Sequence, residues 1–280
     1  MRSIIFALLL LSSSLIWASE ISVGGVDLNI PVPEGYSAVT PEMAVLYEVQ
    51  KQFVAPMNEE FVTFIPDGFV DMVLRDEIPE LPRRFTVQTA KSLISIAVTS
   101  SDFEALKKTI KSQNSELMKK VEAQLPELMG KMNEGIKEKY DVDLALSISQ
   151  MVPMPVHEET DRTLSYSSLV KYDMKDEMGN PAPFVSVVTA TFVHIKGKVL
   201  FLYSYAEESD LEWSKKASHE WVSSIVNSNP SDFQESIIEK VPSSVSRIDW
   251  GQVGIKAVIG ALVGLIIGLF GWLRNRAKKS

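Results

Sequence analysis

The chain is 280 residues long, with 28 Lys and Arg against 36 Asp and Glu and no cysteine. That excludes thiol nucleophiles, cysteine-type zinc sites, lipid-modified cysteine and disulfide staples. The stretch between residues 19 and 253 carries all 36 acidic residues and 22 of the basic ones, a formal charge of −14, and such a field repels phosphate backbones and argues against nucleic acid as a partner.

Met1 and Arg2 form a short positive start, Ile4 to Leu11 is an unbroken apolar run, and Ala18 closes a small-residue site before Ser19. This pattern predicts a secretory signal peptide over residues 1–18, with Ile16 keeping an uncleaved N-terminal anchor as a second reading. An exported domain is then expected over 19–230. No Asn-x-Ser/Thr acceptor occurs, since Asn229 is followed by Pro230, which favours a bacterial envelope over a secretory-pathway lumen.

Val26, Leu28 and Ile30 alternate with Asp27 and Asn29, so a short strand is expected before Pro31 and Pro33. Thr40-Pro41 reads as a helix start, and Leu46, Val49 and Phe53 mark its buried face up to Pro56. Residues 60–65 and 84–89 read as strands, with a proline-rich loop between them. Ser101-Asp102-Phe103-Glu104 has the form of a capping box opening a long helix. Phe103, Leu106, Ile110, Leu117, Val121 and Leu125 paint one apolar stripe along it, expected to pack on the protein's own sheet. Pro126 is expected to kink or restart that helix, which runs to about Lys139.

From Val142 the hydrophobic period changes to two. Strands are expected over 142–148, 164–174, 184–195 and 198–205, the last two joined at Lys196-Gly197. Ser209-Asp210-Leu211-Glu212 repeats the capping pattern, and Trp213, Ala217, Trp221 and Ile225 lie four apart on the following helix. Residues 231–253 read as a polar juxtamembrane tether.

Residues 254–273 are predominantly apolar with one charge, Lys256. As a helix they would span about 30 Å, the thickness of a bilayer core, and they are expected to form a transmembrane helix. Trp250 and Trp272 stand at interfacial positions, and Arg274, Arg276, Lys278 and Lys279 would hold the basic tail 274–280 in the cytoplasm. The expectation is a single-pass protein of the inner (cytoplasmic) membrane, its N-terminal domain outside and its C-terminus inside. Gly260, Gly264 and Gly268 repeat every fourth residue, a groove along which a second copy of the helix could pack to form a homo-oligomer. The expected fold class is α+β: an antiparallel sheet whose C-terminal part is a four-strand meander, covered by helices, plus that C-terminal transmembrane helix.

The short strand and Pro-Glu-Gly-Tyr turn within Asp27 to Tyr36, the helix of Asp102 to Leu125, and the closing hairpin with its Trp-bearing helix over Phe192 to Val226 resemble the PsbP/Mog1-like α/β/α sandwich. The resemblance implies a non-catalytic module that binds protein partners.

Catalytic signatures are missing: no Gly-x-Ser-x-Gly elbow, no phosphate-binding glycine loop and no His-Glu-x-x-His occurs. His157-Glu158-Glu159 with Asp161 could offer oxygen and imidazole ligands to a divalent metal, but ordinary loop composition accounts for it, and no metal or cofactor set is assigned. His194 and His219 read as satisfied or surface histidines. The sequence therefore favours a membrane-anchored envelope protein whose acidic domain is a binding or scaffold module with a protein partner. The alternative is an envelope enzyme with a carboxylate and histidine site.

Overall fold

A computed structural model describes residues 18–112, 114–140, 145–175, 179–230 and 248–264. It begins with a hairpin of β1 (Ala18–Val23) and β2 (Val26–Pro31) turned at Gly24-Gly25, both at positive φ. A Cβ on Gly24 would collide with the Ile94 carbonyl, so the turn also needs glycine for close approach. β1 is absent from the sequence expectation, which placed the signal cleavage there; residues 1–17 lie outside the described residues.

The main sheet draws on strands from most of the chain. They are β3 (Tyr36–Ala38), β4 (Asn58–Pro66), β5 (Arg84–Ala90), β6 (Ser147–Pro153), the short β7 (Glu158–Glu159), β8 (Thr163–Asp173), β9 (Phe184–Ile195) and β10 (Lys198–Glu207). Their order is β3-β4-β5-β10-β9-β8-β6, antiparallel throughout, with β7 also on β8. An antiparallel α+β fold is thus observed, but the sheet has eight strands where a four-strand meander was expected. β5, β4 and β3 extend it beyond β10. The local period marked these segments as strands but carries no information on which distant edge they join. The first meander strand is also displaced, to Ser147–Pro153, and residues 142–144 of its expected span lie outside the described residues.

Helices cover both faces. α1 (Ala44–Gln52), the single turn α2 (Val70–Val73), α3 (Ser100–Ser112) and α4 (Asn114–Tyr140) precede β6; α5 (Leu211–Ser228) and α6 (Trp250–Gly264) follow β10. The capping box of α3 sits two residues earlier than expected. The Thr99 hydroxyl accepts from the Asp102 amide at 3.1 Å, and the Asp102 carboxylate accepts from the Thr99 amide at 3.1 Å. At α5 the expected box is replaced by a 3₁₀ turn, and Asp210 makes no side-chain cap. Pro126 lies inside α4, which continues past it to Tyr140. The stripe from Phe103 to Leu125 is buried as expected.

One core lies between the sheet, α5 and the β1–β2 hairpin, around Phe64, Phe85, Trp221 and Ile225. The other lies between the opposite face and α1, α3, α4 and α6.

The segment expected to cross a membrane enters this second core. α6 touches α3, α4, β4, β5 and β9, and every described residue from Val253 to Gly264 except Lys256 is buried. Among the described residues no helix is long and apolar enough to cross a membrane. The transmembrane, single-pass and inner-membrane readings, with their inside and outside orientation, are corrected accordingly. A helix apolar on all sides suits a bilayer or a protein interior equally well. Here the interior is supplied by a groove between the sheet and α3–α4. Residues 265–280, with Gly268, Trp272 and the basic tail residues Arg274, Arg276, Lys278 and Lys279, lie outside the described residues, as do tether residues 231–247.

Candidate functional site

The floor of the groove under α6 is polar. Strand alternation aims Asn58 and Thr63 of β4, Arg84, Thr86 and Gln88 of β5, and Tyr203 and Tyr205 of β10 at the same side. The antiparallel register sets them side by side, with Tyr205 opposite Arg84, Tyr203 opposite Thr86, and Thr86 opposite Thr63. A bulge between Glu60 and Val62 keeps Glu60 in this row, opposite Gln88. Tyr172 of β8 adds a third phenol, and its side chain is fully buried.

These groups read the backbone of α6. Asn58 Nδ2 donates to the Lys256 carbonyl at 3.1 Å, the Tyr203 hydroxyl to the Ala257 carbonyl at 2.7 Å, and the Tyr172 hydroxyl to the Leu262 carbonyl at 2.9 Å. An Arg84 guanidinium nitrogen donates to the Gly264 carbonyl. At the other end, Asp249 caps the helix by accepting from the Gln252 amide at 3.0 Å.

Approach this close requires glycine. A Cβ on Gly260 would meet the Asn58 amide, Gln88 Oε1 at 2.8 Å and the Tyr203 hydroxyl at 3.0 Å, and one on Gly264 would meet the Tyr205 hydroxyl. Gly260 and Gly264 thus pack against the chain's own sheet. Trp250, expected at a membrane interface, is half-buried against the same core, and Lys256 reaches out to Ser92 Oγ at 3.0 Å.

The electrostatics of the floor follow from its burial. Arg84 is 1% exposed and lies over the Tyr205 ring at 4.2 Å. Burial lowers its guanidinium to about 10, leaving it charged at neutral pH. Burial likewise pushes the Glu60 carboxyl up to about 7, against the hydrogen bonds from Thr63 at 3.1 Å and Gln88 at 3.4 Å and the positive charge of Arg84. Burial raises Tyr172, Tyr203 and Tyr205 as well, so all three keep their protons, and Tyr172 and Tyr203 act as donors to α6. The chain Glu60, Gln88, Asn58 ends on α6, because Asn58 Nδ2 also donates to Gln88 Oε1 at 3.1 Å. Three atoms of the floor have no partner among the described residues: Asn58 Oδ1, Arg84 Nε and the Tyr205 hydroxyl.

The histidines do not converge here. His219 Nδ1 meets Glu158 Oε1 at 2.8 Å on the surface, while Glu159 is held by Lys111 at 2.8 Å, which lowers its carboxyl below the ordinary range. His194 is buried, stacked on Phe103 at 5.4 Å, with Nε2 2.8 Å from the Val98 carbonyl. Burial lowers His157. Among the described residues no group of three His, Cys, Asp or Glu is placed to hold a metal ion. A cleft of about 600 Å³ between the end of α1 and α4 is lined by Phe53 and Met132, with Gln52, Lys131 and Glu138 beside them.

No family model and no curated protein matches the chain. Among solved structures it is similar to cyanobacterial PsbP (CyanoP) from Synechocystis sp. PCC 6803, at 10% identity and a TM-score of 0.29, over 79% of this chain and 96% of that one. A second likeness is to PA94, a protein of unknown function from Pseudomonas aeruginosa, at 12% identity and a TM-score of 0.19, over 75% and 96%. The resemblance to PsbP is weak, and the site is read from its own residues.

The floor residues escape sequence reading for a physical reason. In Arg84-Phe85-Thr86-Val87-Gln88 the alternation is that of a strand with one wet face, and nothing in it says that the polar face is covered. An arginine and a glutamine share a face with two tyrosines only after β5 and β10, far apart in sequence, have paired.

Proposed function

We propose that the chain is a non-catalytic binding module that holds an apolar helix in the groove between its sheet and α3–α4, and that α6 is the occupant carried by the chain itself. The observation behind this reading is that four side chains from β4, β5, β8 and β10 donate to main-chain carbonyls of one helix. Donors aimed at backbone do not read the occupant's side chains, so an apolar helix with small residues at the contact points can take them, while the apolar walls of the groove take its remaining faces as in helix-in-groove recognition. Arg84, the charged group of the floor, is buried and meets the Gly264 carbonyl of α6.

The test places a photo-crosslinking residue at position 117. In the wild type, the Leu117 Cδ1 atom lies 3.4 Å from where a Gly254 Cβ would stand, so the position reports what sits in the groove. In the full chain within its own cells, irradiation should link it internally to residues 250–264. With Gly264→Leu added, which blocks the seat, it should link to a helix of another polypeptide. Absence of any intermolecular product in that variant overturns the reading.

A further inference from the structure

The occupant leaves the groove floor incompletely satisfied at one end. Arg84 is 1% exposed and forms no ion pair among the described residues; one guanidinium nitrogen donates to the Gly264 carbonyl while Nε has no partner. The Tyr205 hydroxyl beside it is equally buried and also unpartnered. A neutral carbonyl offers one acceptor to a guanidinium built to give a fork of donors. The Glu60 carboxyl is near enough to feel that charge but makes no ion pair with it; a buried cation without a direct counter-charge is costly, and the group that would satisfy it is an anion with two adjacent oxygens.

Geometry also fixes where that anion must come from. The groove is the width of a helix, and its floor demands glycine where Gly260 and Gly264 lie. Arg84 meets the occupant's main chain at Gly264, beyond the contacts of Asn58, Tyr203 and Tyr172 at Lys256, Ala257 and Leu262.

Building on the binding-module reading, we infer that the groove is made for an apolar helix of another polypeptide that ends in a free carboxylate at Arg84, with glycines facing Asn58, Tyr203 and Tyr205. The carboxylate takes both nitrogens of the guanidinium edge and accepts from the Tyr205 hydroxyl. α6 fills the same groove with a carbonyl in place of the carboxylate, and is displaced by the better partner.

The experiment uses two fluorescent peptides of sequence 250–264, one ending in a free carboxylate and one amidated at Gly264. Against the full chain carrying Gly264→Leu, the acid should bind at least tenfold tighter than the amide. Against the unaltered chain, excess acid peptide should raise hydrogen exchange in residues 250–264 and the amide should not, a readout that stands even where the variant folds poorly. Equal behaviour of acid and amide overturns the carboxylate and leaves the groove in place. Binding of neither peptide, with no gain in exchange, overturns the inference; the crosslinking outcome at position 117 then decides the binding module separately.

Discussion

The two faces of the sheet bury polar side chains in opposite ways. Under α5, hydroxyls form closed ladders: Ser165 with Thr191 and Ser218, and Ser167 with Thr189 and Ser214, at 2.8 to 3.0 Å, with Ser214 also donating to the Ser204 carbonyl at 3.1 Å. Asn229 ties the end of α5 to β2, its amide donating to the Asn29 carbonyl at 2.6 Å and its carbonyl accepting from the Asn29 amide at 2.9 Å. Under α6 the groups are larger, one is charged, and three atoms are left over. A satisfied network fixes one packing, while an unsatisfied one carries a standing cost that a different occupant can remove. The α5 face is therefore architecture, and the α6 face is the one on which the proposed binding rests.

The largest effect should come from breaking the architectural face. Trp221 is 4% exposed, packs on Phe85 at 5.0 Å and Phe64 at 5.9 Å, and donates from Nε1 to the Pro31 carbonyl at 2.8 Å. Trp221→Ala should cost about 3–5 kcal/mol in a denaturant melt of the full chain, from lost burial, the cavity and the orphaned carbonyl. A loss under about 1 kcal/mol would mean that this face is as replaceable as the other.

The contrast between faces also explains what could be read from the sequence. Strand periods, the α5 stripe with Trp221 and Ile225, and the stripe of α3 and α4 were all legible, because each is a local pattern tied to one buried surface. The place of α6 was not. An apolar helix with one lysine meets the length rule for a bilayer, and only the groove built by β4, β5, β10 and α3–α4 offers it another home. Of the glycines read as a close-packing surface, Gly260 and Gly264 meet the Tyr203 and Tyr205 phenols of the same chain, and Gly268 lies outside the described residues. The polar floor itself was invisible because Asn58, Arg84 and Tyr205 meet only through long-range pairing.

A smaller, pH-dependent effect belongs to the α6 face. Glu60 rises from 4.5 to about 7 on folding, so the folded chain holds its proton more tightly than the unfolded chain does. The stability this contributes is complete below about pH 4.5 and is lost as pH rises through about 7, the reverse of an ion-paired carboxylate. The full swing should be about 2–3 kcal/mol after allowing for the part of Glu60 that remains exposed. Melts of the wild type and of Glu60→Gln at intervals between pH 5 and 8 give it by difference: the wild type should lose stability relative to the variant as pH climbs. Parallel curves would show that Glu60 is solvated and that the floor is less buried than the α5 ladders.

The smallest effect is the sharpest test of the leftover polar atoms. Tyr203 and Tyr205 are neighbours on β10 with ring centroids 5.9 Å apart, both buried, yet only the Tyr203 hydroxyl has a partner, the Ala257 carbonyl. Tyr203→Phe removes a made hydrogen bond and leaves the floor short of one donor to α6, so it should cost about 1 kcal/mol and loosen residues 250–264 in hydrogen exchange. Tyr205→Phe removes a hydroxyl that has no partner and crowds Gly264, while the ring stays under the Arg84 guanidinium. It should be neutral or stabilising by up to about 1 kcal/mol, and α6 should exchange no faster than in the wild type. The same change should weaken the carboxylate peptide, because the hydroxyl is then missing where the acid needs a donor. A chain made firmer for its own helix and poorer for the acid-ended one would separate what the groove holds from what it is built to take. Equal losses for the two phenylalanine variants would mean that the Tyr205 hydroxyl is already satisfied, and the two faces would then differ in composition alone.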